Sequence, residues 1–155
     1  MTSPSPSPPP ALDGLPFVDE HAVDTRAAPA DVWRSVVATF GHQSAGAAQY
    51  ARLVGADPVD ASGTFPEVGA TVAGFRVADV HPETMLLLTG RHRFSSYALT
   101  VLVDAHEGGT RVRALTHATF PGSLGAAYRA IVITSGAHRV ITRRLLRGVV
   151  ERASR

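Results

Sequence analysis

At 155 residues the chain is long enough for one domain with its own core and too short for a second. It has no cysteine, which excludes disulfides, thiolate nucleophiles and cysteine-ligated metals and fits a reducing cytoplasm. All 15 basic residues are arginine and 13 residues are acidic; a net charge of +2, with most of the arginines not gathered on one face, speaks against a nucleic-acid partner although Arg139, Arg143, Arg144 and Arg147 crowd the outer side of the last helix, and no run of about 18 apolar residues is present to insert stably in a membrane.

Residues 1–16 are rich in Pro and Ser, carry no secretion-signal pattern, and bury too little to offset ordering. They read as a disordered or polyproline tail ahead of a single domain, 17–155. Phe17–Arg26 alternates and reads as a first strand. Ala28-Pro29-Ala30-Asp31 then opens a helix, because Pro suits the first turn and Asp31 complements the positive helix end. Val32, Trp33, Val36, Val37 and Phe40 recur at helical spacing up to Gly41. A second short helix is expected from about Gly46 to Leu53, and a loop from Gly55 to Val68. From Gly69 the period changes to two. Strands are expected at Thr71–Val80, Met85–His92, Tyr97–His106 and Thr110–Phe120, with His81-Pro82-Glu83, Ser95-Ser96 and Gly108-Gly109 as turns. Short turns make these neighbours antiparallel. After Pro121-Gly122 one helix of about 30 residues, ~45 Å long, is expected to lie along the sheet.

The Gly108-Gly109 pair suggests a two-residue turn with positive φ at both positions. That turn pairs Val103 with Ala114, Val101 with Thr116, Leu99 with Ala118 and Tyr97 with Phe120 on one apolar, inward face. Asp104 then stands opposite Arg113, and Leu102 opposite Leu115, on the other. Ala114, Thr116 and Ala118 are small, so the space above them is either a pocket or is filled by large helix side chains. A two-residue turn at Ser95-Ser96 sends Leu86, Leu88, Gly90, His92 and Phe94 inward. A three-residue loop sends Met85, Leu87, Thr89, Arg91 and Arg93 inward instead. The first is preferred, because the second buries unpaired arginines.

On the last helix Leu124, Tyr128, Ile131, Ser135, His138, Thr142, Leu145 and Val149 follow a three-four spacing, apolar at both ends and polar in the middle. The expected ligand-binding set is therefore His92, Tyr97, Leu99, Val101, Thr116, Ala118 and Phe120 from the sheet, with Tyr128, Ile131, Ser135 and His138 from the helix. His138 is the best candidate for an acid/base. No metal site is expected, since neither H-x-E nor H-x3-H spacing occurs, and no nucleotide cofactor, since no Gly-rich loop follows a strand.

The order of elements, and the stretch Arg26-Ala-Ala-Pro-Ala-Asp-Val-Trp33 at the opening of the first helix, resembles the START-like or SRPBCC superfamily. This is the helix-grip fold of polyketide cyclases, plant pollen allergens and lipid-transfer domains. Gly90-Arg-His-Arg-Phe-Ser-Ser-Tyr97, Gly108-Gly-Thr-Arg-Val112 and Phe120-Pro-Gly-Ser-Leu124 look like a bacterial branch of it. The resemblance covers Phe17 to Arg152. It implies an α+β domain in which a curved antiparallel sheet wraps a long C-terminal helix, with two short helices after the first strand. It further implies a small hydrophobic ligand in an internal cavity between sheet and helix, the protein being a carrier or sensor. The alternative it implies is a cyclase/dehydratase-type enzyme on a polyketide-like or aromatic substrate with His138 as acid/base. Fold alone does not choose between them, nor between monomer and homodimer.

Overall fold

A computed structural model describes residues 12–42 and 44–155; the expected tail falls for the most part, at 1–11, outside the described residues. Residues 12–16 turn back so that the Pro16 carbonyl accepts a bond from the Ala118 N–H at 3.0 Å. Six strands form one open antiparallel sheet in the order β1-β6-β5-β4-β3-β2. They are β1 (Phe17–Thr25), β2 (Thr71–Val72), β3 (Phe75–His81), β4 (Met85–His92), β5 (Ser95–His106) and β6 (Gly109–Thr119). The segment expected as one strand from Thr71 to Val80 is a hairpin instead, because the chain turns at Gly74 with φ of 81° and Thr71–Val72 pairs back on Phe75–Arg76.

The β5–β6 register differs from expectation by two residues. Val101 stands opposite Ala114, Leu99 opposite Thr116 and Tyr97 opposite Ala118, with Glu107-Gly108 as the turn. The two glycines do different jobs. Gly108 takes the positive φ of the turn, whereas Gly109 is inside β6, where a Cβ would overlap the Thr25 carbonyl oxygen and sit 2.9 Å from Arg26 Cα. A shift of two preserves the faces. Leu99, Val101, Val103, Val112, Ala114 and Ala118 do point inward, and Arg111 rather than Arg113 is directly opposite Asp104. The preceding turn is at Arg93-Phe94, with His92 paired to Ser95. Leu86, Leu88, Gly90 and His92 thus share the inner face, while Arg91 points outward and meets Asp57 at 2.9 Å.

Helix α1 (Pro29–Gly41) begins at the proline and buries Val32, Ser35, Val36 and Phe40; α2 (Ala45–Val54) is capped by Ser44, whose hydroxyl accepts from the Ala47 N–H, and ends at Gly55 with φ of 65°. The expected single C-terminal helix is two. Helix α3 (Gly122–Arg129) runs into a π-helical segment (Ala130–Thr134), and α4 (Ala137–Ala153) restarts after Gly136, which has φ of 82°. The break has local causes. Ile131 to Thr134 are all β-branched, the Ser135 hydroxyl donates back to the Ile131 carbonyl, and glycine is a weak helix former.

The main core lies between the sheet and the pair α1–α4. Val32, Val36, Leu86, Leu88, Val101, Val112, Leu146 and Val149 are fully buried there, and the Ser35 hydroxyl donates to the Val149 carbonyl at 2.6 Å. Large helix side chains therefore fill this half of the inner face, including the space over Ala114. The architecture is the α+β helix-grip fold, an antiparallel sheet holding the C-terminal helix against its face.

Candidate functional site

Beyond the filled core the inner face ends in an aromatic cluster. Gly90 creates its floor: with no side chain there, the Tyr97 ring lies across the strand and its hydroxyl donates to the Gly74 carbonyl at 2.6 Å. Tyr97 packs edge-on against Phe75 at 5.4 Å, and the His92 ring lies 5.4 Å from Tyr97. Gly125 forms the seat of the roof. A Cβ there would fall 2.8 Å from the Phe120 carbonyl oxygen and 3.1 Å from that of Phe94, so glycine lets α3 lie this close to the Phe94 turn. Tyr128 then hangs down between the rings, stacked on Phe94 at 5.3 Å, edge-on to His92 at 4.7 Å and 6.4 Å from Phe120. Its hydroxyl is 2.5 Å from that of Tyr50 on α2. Burial raises the phenols of Tyr97 and Tyr128 well above their ordinary value, so both remain neutral donors.

A second cluster, polar, sits where α4 crosses β1 and β6. His138 places Nε2 at 3.1 Å from Thr116 Oγ1 and 3.4 Å from Asp19 Oδ1. Asp19 Oδ2 accepts from His21 Nε2 at 3.1 Å, so the carboxylate is held between two imidazoles. Thr142, one turn after His138, donates its hydroxyl to the His138 carbonyl at 2.9 Å. Asp19 and His21 escape a reading of β1 as plain alternation. The signal was two polar residues on the inward side, opposite Thr116 and Ala114, of a strand that otherwise keeps its charges outside.

The expected site residues thus divide. His92, Tyr97, Phe120 and Tyr128 come together in the aromatic cluster, and Thr116 and His138 in the polar one. Val101 belongs to the filled core with Leu99 packed against it, and Ala118 is buried opposite Tyr97. Ile131 and Ser135 are exposed on the π segment and at its end, and the Ser135 hydroxyl bonds back to the Ile131 carbonyl. His92 and His138 are in different clusters. Among the described residues no group of three His, Asp or Glu is placed to hold a metal. Two surface depressions lie elsewhere. One, of about 530 Å³, is between Asp31, Arg34 and Arg152. The other, of about 520 Å³, is on the outer sheet face among Glu20, Asp104 and Arg113.

Burial in the cluster holds the His92 imidazole below its usual 6.5. The folded state therefore binds that proton less readily than the unfolded chain, and the contribution of His92 to stability is lost as pH falls below about 6.5. His92→Gln is expected to reduce the loss of melting temperature between about pH 7.5 and about pH 5 relative to wild type; equal losses would show that His92 is solvated.

No protein-family model matches the chain, and no curated protein matches it in sequence. Solved structures do resemble it. An uncharacterised protein of Rhizobium leguminosarum is 15% identical with a TM-score of 0.57, over 88% of this chain and 93% of that one. The Mll3558 protein of Rhizobium loti is 16% identical with a TM-score of 0.56, over 86% and 94%. Ara h 8.0201 is 9% identical with a TM-score of 0.54, over 87% and 95%. At such identities the likeness is one of fold, and that fold is the helix grip.

Proposed function

We propose that the chain is a START-like domain that binds a small hydrophobic, ring-bearing molecule in the aromatic cluster, as a carrier or sensor. The observation that supports this best is Tyr128. It is the one large side chain that plugs the cluster, and it is carried by a helix whose only buried residue is Gly125. A planar ligand entering in its place meets the faces and edges of Phe94, Phe120 and His92, with the Tyr97 and Tyr50 hydroxyls to orient it. The pocket of this reading is at the α3 end of the sheet, away from the packed α1–α4 half.

The test is an NMR titration with naphthol. Saturable shifts confined to residues 90–97 and 120–136 are expected, and Tyr128→Ala, which removes the plug, is expected to tighten binding. Absence of saturable shifts in both proteins, or shifts confined to the Asp31–Arg152 depression, would overturn the proposal.

The enzyme reading has one observation in its favour, the Asp19 carboxylate beside His138. Against it, Thr116 and Asp19 meet the same ring nitrogen, which ties His138 to the sheet rather than presenting that nitrogen to a substrate. It requires turnover of a polyketide-like or aromatic substrate that His138→Gln abolishes while naphthol binding persists.

A further inference from the structure

The modest net charge conceals a strong asymmetry. Residues 122–155 hold seven of the 15 arginines and one of the 13 acids, a net +6, while the rest of the chain, with eight arginines and twelve acids, carries −4. From Gly122 to Val150 there is no acidic residue at all. On the sheet Arg91, Arg111 and Arg113 are each paired with a carboxylate. Among the described residues Arg129, Arg139, Arg143, Arg144 and Arg147 form no such pair, and all are exposed.

The same arm exposes large apolar side chains: Ile131 at 69%, Ile141 at 61% and Val140 at 50%. On α4 the inward side holds Thr142, Leu146 and Val149. Val140 is on the opposite side, and Arg143 and Arg144 follow it at i+3 and i+4, which makes them its neighbours on the helix surface. Isoleucine and valine among cations without a carboxylate partner give this face two chemistries side by side. Nucleic acid would use the arginines and leave the apolar side chains in water. An anionic bilayer uses both, with guanidinium groups at the phosphodiesters and aliphatic side chains at the acyl boundary.

We propose that the outer face of this C-terminal arm docks on an anionic lipid bilayer, peripherally, with Arg143, Arg144 and Arg147 at headgroup level and Val140 and Ile141 below them. No helix among the described residues is long and apolar enough to cross a membrane, so the contact is one of surface. The proposal is independent of ligand binding in the aromatic cluster.

Co-sedimentation with vesicles tests it. Binding is expected to phosphatidylglycerol–phosphatidylcholine vesicles and not to phosphatidylcholine alone. It is expected to weaken between about 0.1 M and about 1 M salt, as the screening length falls from about 10 to about 3 Å. Each arginine is expected to contribute about fivefold, so replacing Arg143, Arg144 and Arg147 together with Gln should weaken binding on the order of 100-fold. Val140→Ser with Ile141→Ser should weaken it at both salt concentrations. All five positions are exposed, and unchanged thermal melting confirms that the fold is kept. The proposal is overturned by no binding to anionic vesicles at the lower salt, by an arginine variant that binds like wild type, or by equally tight binding to duplex DNA that the Val140/Ile141 variant retains.

Discussion

Leu146→Ala is expected to lower stability by about 2–5 kcal/mol, the range for emptying a fully packed leucine site. Leu146 is fully buried in the core cluster that also holds Val32 and Val36 of α1 and Val101, Val112 and Ala114 of the sheet, and the Val149 carbonyl beside it accepts the Ser35 hydroxyl. For a domain of this size the melting temperature should fall by about 4–20 °C, read by calorimetry or circular dichroism. Ile141→Ala, on the exposed side of the same helix, should stay within about 0.5 kcal/mol. The contrast tests where the grip is filled. If a ligand cavity lay over Ala114, Leu146 would have partners on one side only, and its loss would fall toward the cost of the exposed position.

The strand faces were legible because period-two alternation survives a register error of two. The register itself was not. Gly108 and Gly109 are indistinguishable as letters, yet one is needed for a turn and the other for the close passage of Thr25 and Arg26, a contact with a strand more than eighty residues away. The polar middle of the C-terminal helix was visible as Ser135, His138 and Thr142, with Gly136 beside them. Its meaning depended on geometry: Ser135 and Gly136 end one helix, and His138 and Thr142 reach inward. The partners of His138 were harder to see, because Asp19 and His21 become site residues only when β1 pairs with β6 under α4. The roles of Phe94 and Tyr50 likewise depend on α3 settling over the β4–β5 turn, which Gly125 permits and no local pattern announces.

Gly90→Ala should test that floor most sharply. Backbone strain does not enter, since Gly90 does not have a positive φ. The added methyl would overlap the Gly74 carbonyl oxygen and stand 2.8 Å from Tyr97 Cε2 and from its hydroxyl. Either the β2–β3 turn or the Tyr97 ring must move, and both movements break the 2.6 Å bond between them. Overpacking costs about 1–3 kcal/mol and an unsatisfied buried hydroxyl a similar amount, so a loss of about 2–6 kcal/mol is expected in urea denaturation. Because the two residues share one space, Gly90→Ala and Tyr97→Leu should not be additive. The double variant should recover about 1–3 kcal/mol of the sum, the part of the strain that the ring causes. Additive losses would place the Tyr97 ring away from Gly90. With the ring displaced, naphthol shifts at residues 90–97 should also weaken, while the ligand-free spectrum of the α1–α4 half remains native. That outcome would tie the stability of the floor to ligand binding as proposed for the cluster above it.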